Sequence, residues 1–140
     1  MSDAWEAINR RLVGAMLSLD LYDSLTVGDR LAPPRRKLLG RPPEAAPRRY
    51  VQITAVQTRL IAECVGSTTF GGAWPMSGEQ EATLLRQGWQ KPWSDTDRTF
   101  QREASLVGAP RLALATVRAL QLLGCEPTEL QYDRSRVEHA

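Results

Sequence analysis

The side chains that most often carry catalysis or bind metals are few in this sequence and lie far apart. Its 140 residues include one histidine, His139, and two cysteines, Cys64 and Cys125. A metal site needs clustered His, Cys or carboxylate ligands, and a Ser-His-Asp triad needs a histidine held in a fixed geometry. His139 lies at the end of the sequence, and neither cysteine has a neighbouring histidine to activate it. We therefore predict no metal, no cofactor and two buried, reduced cysteines.

Carboxylates are the remaining candidates for acid–base chemistry. Glu63 lies between apolar residues, and Asp95, Asp97 and Glu103 surround a short segment near residue 100. Paired carboxylates can act as acid and base when one of them is desolvated, but such residues more often cap turns or line a solvated strand. The glycine-rich phosphate-binding motifs are also absent. We predict that the protein is not an enzyme, and keep a small carboxylate-dependent enzyme as an open alternative.

The charge balance disfavours a general nucleic-acid-binding protein. There are 18 basic and 16 acidic residues, a net charge of +2, whereas nucleic-acid-binding domains usually carry a larger basic excess. Residues 30–49 are the exception, with seven Arg or Lys residues, one Glu and five prolines. This proline density excludes a continuous helix or a central strand. We predict a solvated, flexible basic loop. The alternative is a loop that contacts nucleic acid or an acidic partner through Arg35, Arg36, Lys37 and Arg41.

Apolar residues recur at helical spacing in three segments. The first covers residues 3–20, where Asp3 can act as the N-cap. The second begins at Ser77, and Gly88 fits a left-handed stop at its end. The third, residues 110–123, is apolar almost all round, which is typical of a helix at the centre of a core.

Alternating or continuous apolar segments predict the strands. Residues 49–56 alternate strictly, as expected for a strand with one solvated face, and residues 59–66 follow after a short connection, which indicates a hairpin. Residues 25–27 and 98–103 are shorter candidate strands. Strands flanked by separate helices indicate an α+β domain, with an antiparallel sheet, an N-terminal helix and two further helices packed against it.

Length and hydropathy limit the organisation of the protein. We expect a single domain over residues 1–130 and a frayed C-terminal tail over residues 131–140. No apolar run reaches the length of a membrane span, and the acidic, amphipathic N-terminus is unlike a secretory signal. These features predict a soluble protein of the cytoplasm.

Several segments between Tyr50 and Leu130 resemble, in order, those of a known family. They are the Tyr-Val-Gln-Ile strand at 50–53, the segment 60–66 with Ala-Glu, the Gly-Trp-x-x-Pro signature at 88–92, Phe-Gln-Arg-Glu at 100–103, the helix 113–120 and the ending at 124–130. The family is that of the actinobacterial YbjN / type III secretion chaperone-like (TY-Chap) domains. The resemblance implies an antiparallel sheet with helices, chaperone-like binding of a peptide or protein, and no catalytic residues. Residues 30–49 depart from it, because prolines occupy the expected first strand.

Five residues are candidate contacts with a peptide or protein partner. Trp74, Trp89 and Trp93 fall within twenty residues, and tryptophan is enriched at binding hot spots, although Trp89 also suits packing against the end of a helix. Tyr50 and Gln52 join them on the strand that carries the resemblance. The alternative is a dimeric scaffold or an immunity-type protein that binds one folded partner, and a homodimer is compatible with either interpretation.

Overall fold

The computed structural model describes residues 2–29, 48–92 and 98–136. The predicted contacts Arg35, Arg36, Lys37, Arg41 and Trp93 lie outside these residues. The elements, in sequence order, are α1 (Asp3–Leu17), β1 (Asp23–Gly28), β2 (Tyr50–Val56), β3 (Arg59–Cys64), α2 (Gly78–Arg86), β4 (Phe100–Ser105), α3 (Ala109–Leu122) and β5 (Gln131–Arg136).

The strands form one antiparallel sheet in the order β4-β3-β2-β1-β5. Along β2, Val51, Ile53 and Ala55 are buried, and the residues between them are partly exposed. The pairs Val51–Cys64 and Ile53–Ala62 continue the buried row on β3. The predicted α+β fold with an antiparallel sheet is confirmed, and the alternation gives the sheet one dry face.

Helix α3 occupies the centre of the core. It contacts β2, β3 and β4 of the sheet and also α1. Its sequence is apolar almost all round, so both sides can be buried, as the sequence predicted. Helix α1 adds a single stripe, and the largest fully buried residues of the core include Leu12, Met16, Ile53, Leu60, Leu112 and Leu120.

Helices α2 and α3 end in the same way. Gly88 has a φ of 98°, Gly88 N–H donates to Leu85 O, and Trp89 N–H donates to Leu84 O at 3.1 Å. Gly124, with a φ of 85°, and the residue after it make the equivalent bonds at the end of α3. These are Schellman motifs, in which a left-handed glycine satisfies the last carbonyls of a helix. The predicted stop at Gly88 is therefore confirmed.

The N-terminal half differs from the prediction in two details. Ser2 caps α1, since its Oγ accepts a hydrogen bond from Trp5 N–H, and Asp3 is the first helical residue, where its charge favours the helix dipole. The first strand, β1, precedes the proline-rich segment 30–49 instead of being replaced by it. The short strand predicted at residues 25–27 is therefore confirmed as part of β1.

The predicted frayed tail is wrong for Gln131–Arg136, which forms β5 beside β1. Arg134 Nη2 and Arg136 Nε donate to the two carboxylate oxygens of Asp23, at 2.9 and 3.2 Å. This edge strand is stabilised by its pairing with β1 and by ion pairs, so it needs no apolar alternation. Its sequence has none. His139 lies beyond the described residues. No helix in the described ranges has both the length and the apolar character needed to cross a bilayer.

Replacing Gly88 by alanine should destabilise the fold. A Cβ at this position would approach Arg102 Nη1 to 2.5 Å, and a left-handed backbone costs roughly 1–2 kcal/mol for a non-glycine residue. We expect G88A to lower the free energy of unfolding by at least that amount in urea denaturation. Gly14→Ala is the matched control, because its Cβ would meet nothing within 4 Å, and it should gain up to about 1 kcal/mol. Equal stability of the two variants would contradict this account.

Asp23 should make the attachment of β5 sensitive to acid. Hydrogen bonding from Arg134 lowers the pKa of Asp23 below its ordinary 3.8, against an opposing effect of burial. The stabilisation is therefore complete above pH 3.8 and is lost as the pH falls through the lowered pKa. We expect D23N to reduce stability at pH 7 and to flatten the decline between pH 5 and pH 2. The control D20N should change little, because Asp20 is 3.9 Å from Arg134 and exposed.

Candidate functional site

The helices pack on one face of the sheet and leave the other face uncovered by any described helix. Helix α3 lies against the strands, and α1 packs on α3. Helix α2 joins the same side, since Gln80 Nε2 donates to Leu122 O at 3.0 Å. We call the opposite side the helix-free face; its partly exposed residues at the centre are Thr26, Tyr50, Gln52, Thr54, Ile61, Glu63 and Gln101.

Two of the predicted contacts, Tyr50 and Gln52, lie on the helix-free face. They are neighbours on one side of β2, and Gln52 lies between Thr26 on β1 and Glu63 on β3. Burial raises the pKa of the Tyr50 phenol above its ordinary value, so it stays protonated at neutral pH. This part of the surface thus offers hydroxyl, amide and carboxylate groups beside an aromatic ring.

A cleft opens beside Tyr50 at the end of β2. Its volume is about 270 Å³, and we call it the glycine cleft. Arg98 Nη1 donates to Gly71 O at 3.2 Å, which holds the two loops of the cleft together. A Cβ on Gly66 would overlap the carbonyl of Arg98, so this close approach of two backbones requires glycine. The lining residues are Tyr50, Gly66, Gly71, Gly72, Ala73, Arg98 and Thr99.

Trp74, a third predicted contact, follows this cleft and is partly exposed. The backbone N–H of Trp74 donates to Gly66 O at 3.0 Å, and the Arg49 guanidinium lies 5.2 Å from the centre of the Trp74 ring. Arg49 also donates to both carboxylate oxygens of Asp29, at 2.9 and 3.0 Å, and to Leu123 O at 3.2 Å. One guanidinium therefore links β1, the end of α3 and the Trp74 loop.

Asp29 and Arg49 form the ion pair that joins the elements of this region. Burial acts to raise the pKa of Asp29, but hydrogen bonds from the Arg49 side chain and backbone outweigh it, and the pKa is lowered. Arg48 Nη2 adds a hydrogen bond to Asp29 O at 2.6 Å. Asp29 and Arg48 flank the segment 30–47, so the two ends of the basic segment are held together next to Tyr50.

Comparison with protein families matches this protein over residues 1–136 to TY-Chap3, described as T3SS (YopN, CesT) and YbjN peptide-binding chaperone 3. The protein belongs to this family. A search of curated proteins gave no match, and neither did a search of solved structures. The family confirms the predicted resemblance and the prediction of a peptide-binding, chaperone-like module that is not an enzyme.

The residues of this TY-Chap3 domain that could carry chemistry are either buried in the core or paired on the surface. Both cysteines are free and buried, as predicted, and burial raises the pKa of Cys64 to about 12 and of Cys125 to about 11. Glu103 pairs with Arg59 at 3.0 Å on the surface. Within residues 2–29, 48–92 and 98–136, no group of three His, Cys, Asp or Glu could hold a metal.

The Gly-Trp-x-x-Pro signature contributes to the core instead of to the surface. Trp89 is 2% exposed and belongs to the core cluster. Its position after Gly88 fixes it there, since the Schellman motif turns this residue back onto the helix. The sequence signal that first suggested binding thus marks a packing site, which leaves Tyr50, Gln52 and Trp74 as the accessible candidates within the part of the chain that the structure describes.

Replacing Arg49 by lysine should loosen this region while keeping its charge. An ammonium cannot reproduce the planar fork that contacts both oxygens of Asp29, so we expect a loss of about 1–2 kcal/mol in the free energy of unfolding. Trp74 fluorescence should also change. R59K is the control, because the exposed Arg59–Glu103 pair is worth about 0–1 kcal/mol. If R49K unfolds at the same denaturant concentration as R59K, the linking role of Arg49 is refuted.

Proposed function

We propose that this TY-Chap3 domain binds an extended segment of a client polypeptide along the helix-free face, with Tyr50 and Gln52 as central contacts and Trp74 at one end. The observation that carries the proposal is the glycine cleft beside Tyr50, about 270 Å³ in volume. A cleft of this size accepts one apolar side chain of the client. Its position at the end of a solvated strand face gives a bound segment a fixed starting point.

The composition of the helix-free face suits an extended segment. An unfolded client exposes backbone N–H and C=O groups that need hydrogen-bond partners. Gln52, Thr26 and Glu63 present donors and acceptors in one row across β1, β2 and β3. Tyr50 and Trp74 add rigid aromatic area, which costs little conformational entropy on binding. Such a surface holds segments of varied sequence, as a chaperone requires.

The basic segment supplies the second part of the proposal. Asp29 and Arg48, which flank it, lie beside Tyr50, and its sequence carries Arg35, Arg36, Lys37 and Arg41. Positive charge next to a binding surface accelerates the association of acidic partners and does so less at high salt. We therefore infer a preference for clients with acidic stretches. We also place the protein in the cytoplasm, where unfolded clients are made.

A second copy of the protein is the other partner that we propose. Leu17 and Leu21 are 57% and 49% exposed at the connection between α1 and β1, and Leu17 is the last residue of α1, on the helix-covered side. Two-fold contact through these leucines would leave the client surface free. Light scattering across a concentration series, with L17Q/L21Q as the comparison, tests this arrangement. A wild-type mass of one protomer at every concentration would exclude it.

Binding of an unfolded model client should depend on the Tyr50 ring. Removing an aromatic hot spot costs about 1–2 kcal/mol, so we expect Y50A to bind such peptides roughly 10-fold more weakly than the wild type in fluorescence anisotropy. Y50F keeps the ring and should bind within about 3-fold of the wild type. Gln52→Ala should weaken binding by a smaller factor.

Gln121→Ala is the matched control for Gln52→Ala, because Gln121 is exposed on α3, on the helix-covered side of the sheet. It should bind as the wild type does. Circular dichroism and urea denaturation establish that each variant is folded. If folded Y50A binds peptides as tightly as Y50F, the helix-free face is not the client surface.

A further inference from the structure

A pocket on the other side of the sheet is lined by three arginines. It lies between the end of α2, strand β4 and the first turns of α3, with a volume of about 200 Å³. We call it the arginine pocket. The residues that line it are Gln87, Arg102, Arg111, Leu114, Ala115 and Arg118.

The positive charges of this pocket have no counter-charge in the described part of the protein. Arg49, Arg59 and Arg134 each contact a carboxylate. Within residues 2–29, 48–92 and 98–136, no carboxylate oxygen lies within 4.0 Å of Arg102, Arg111 or Arg118. Three arginines thus line one concavity, and none of them has a carboxylate partner among the described residues.

Of these three arginines, Arg102 has a structural partner among the described residues. Its Nη1 donates to Gln87 O at the end of α2, where the negative end of the helix dipole favours a cation. Arg111 and Arg118 are exposed. Arg111 lies in the first turn of α3, which has no acidic residue, so the helix dipole opposes its charge. Such an arrangement costs stability unless an anion compensates for it.

The geometry of α3 places the two exposed arginines on one side of the helix. Residues 111 and 118 are two turns apart, about 10 Å along the axis, with Leu114 and Ala115 between them. An Arg fork binds a carboxylate through two parallel hydrogen bonds, and the low-dielectric surroundings of a cleft strengthen its field. The apolar Leu114 and Ala115 suit the methylene groups next to such a carboxylate.

We propose that the arginine pocket binds a carboxylate of the client polypeptide, supplied either by an acidic side group or by the client's own carboxyl terminus. This rests on the proposed function, because the carboxylate belongs to the client. Strand β4 is at the edge of the sheet, and Gln90 pairs with it only at Gln101. A segment that leaves the helix-free face across this edge, beyond Gln101, reaches the pocket. The pocket thereby selects clients whose acidic group reaches the arginine pocket when the rest of the segment lies on the helix-free face.

The first test uses a small carboxylate and needs no client. Glutarate is titrated into the ¹⁵N-labelled full-length protein, and the backbone amides of residues 102, 111 and 118 are followed by NMR. We expect saturable shifts in the wild type and at least a 5-fold weaker apparent affinity in R118Q. The control R10Q, an exposed arginine of α1, should match the wild type. Absence of saturable shifts at these amides, or tighter binding of inorganic phosphate than of glutarate, overturns the proposal.

The second test identifies the source of the carboxylate. Three peptides share one apolar sequence: the first has one Glu and an amidated C-terminus, the second has no Glu and a free C-terminus, and the third has neither. We expect the first or the second to bind the wild type at least 5-fold more tightly than the third, with this advantage lost in R118Q and kept in R10Q.

The two proposals fail in different ways. If all three peptides bind equally and their binding depends on Tyr50, the carboxylate proposal is overturned and the proposed function stands. If the third peptide binds Y50A as well as the wild type, the proposed client surface is wrong, while glutarate binding at residues 102, 111 and 118 still decides the pocket.

Discussion

The constraint on which the structure depends is that α3 must be covered on two sides. Its sequence is apolar almost all round, with Leu112, Val117 and Leu120 buried, so a single packing partner would leave a large part of it in water. The sheet covers one part of its surface and α1 covers another. Helices α1 and α2 lie on the same side of the sheet as α3. The described residues therefore provide no helix for the opposite face. The uncovered surface thus follows from the core.

The ends of the helices convert this packing into a defined shape. Gly88 and Gly124 both turn the backbone towards the helix they end, and each delivers a buried residue, Trp89 or Cys125, to the core. The first of these turns also leaves room for Arg102, whose guanidinium completes the end of α2. A single residue type at position 88 therefore serves the fold and the arginine pocket together.

The sequence was informative where a local rule operates. The alternation of β2, the start of α2 at Ser77 and the glycine stop at Gly88 depend on neighbouring residues alone, and all were predictable. Strand β5 was not predictable, because its stability comes from Arg134 and Arg136, which contact Asp23 on the neighbouring strand β1. No window of sequence contains both partners of such a contact.

The candidate site was predictable only in part, for the same reason. Tyr50 and Gln52 could be placed on a solvated strand face from alternation, whereas the arginine pocket combines residues of three elements. The arginines discussed above fall into two groups, which differ in whether a carboxylate of the fold contacts them. Arg49, Arg134 and Arg136 are neutralised by carboxylates within the fold, so they report on structure. Arg111 and Arg118 have no such partner among the described residues, and the sequence of residues 30–47 has one Glu for its five cations. Positive charge that the fold does not neutralise is available to a partner, and it is complementary to an acidic one.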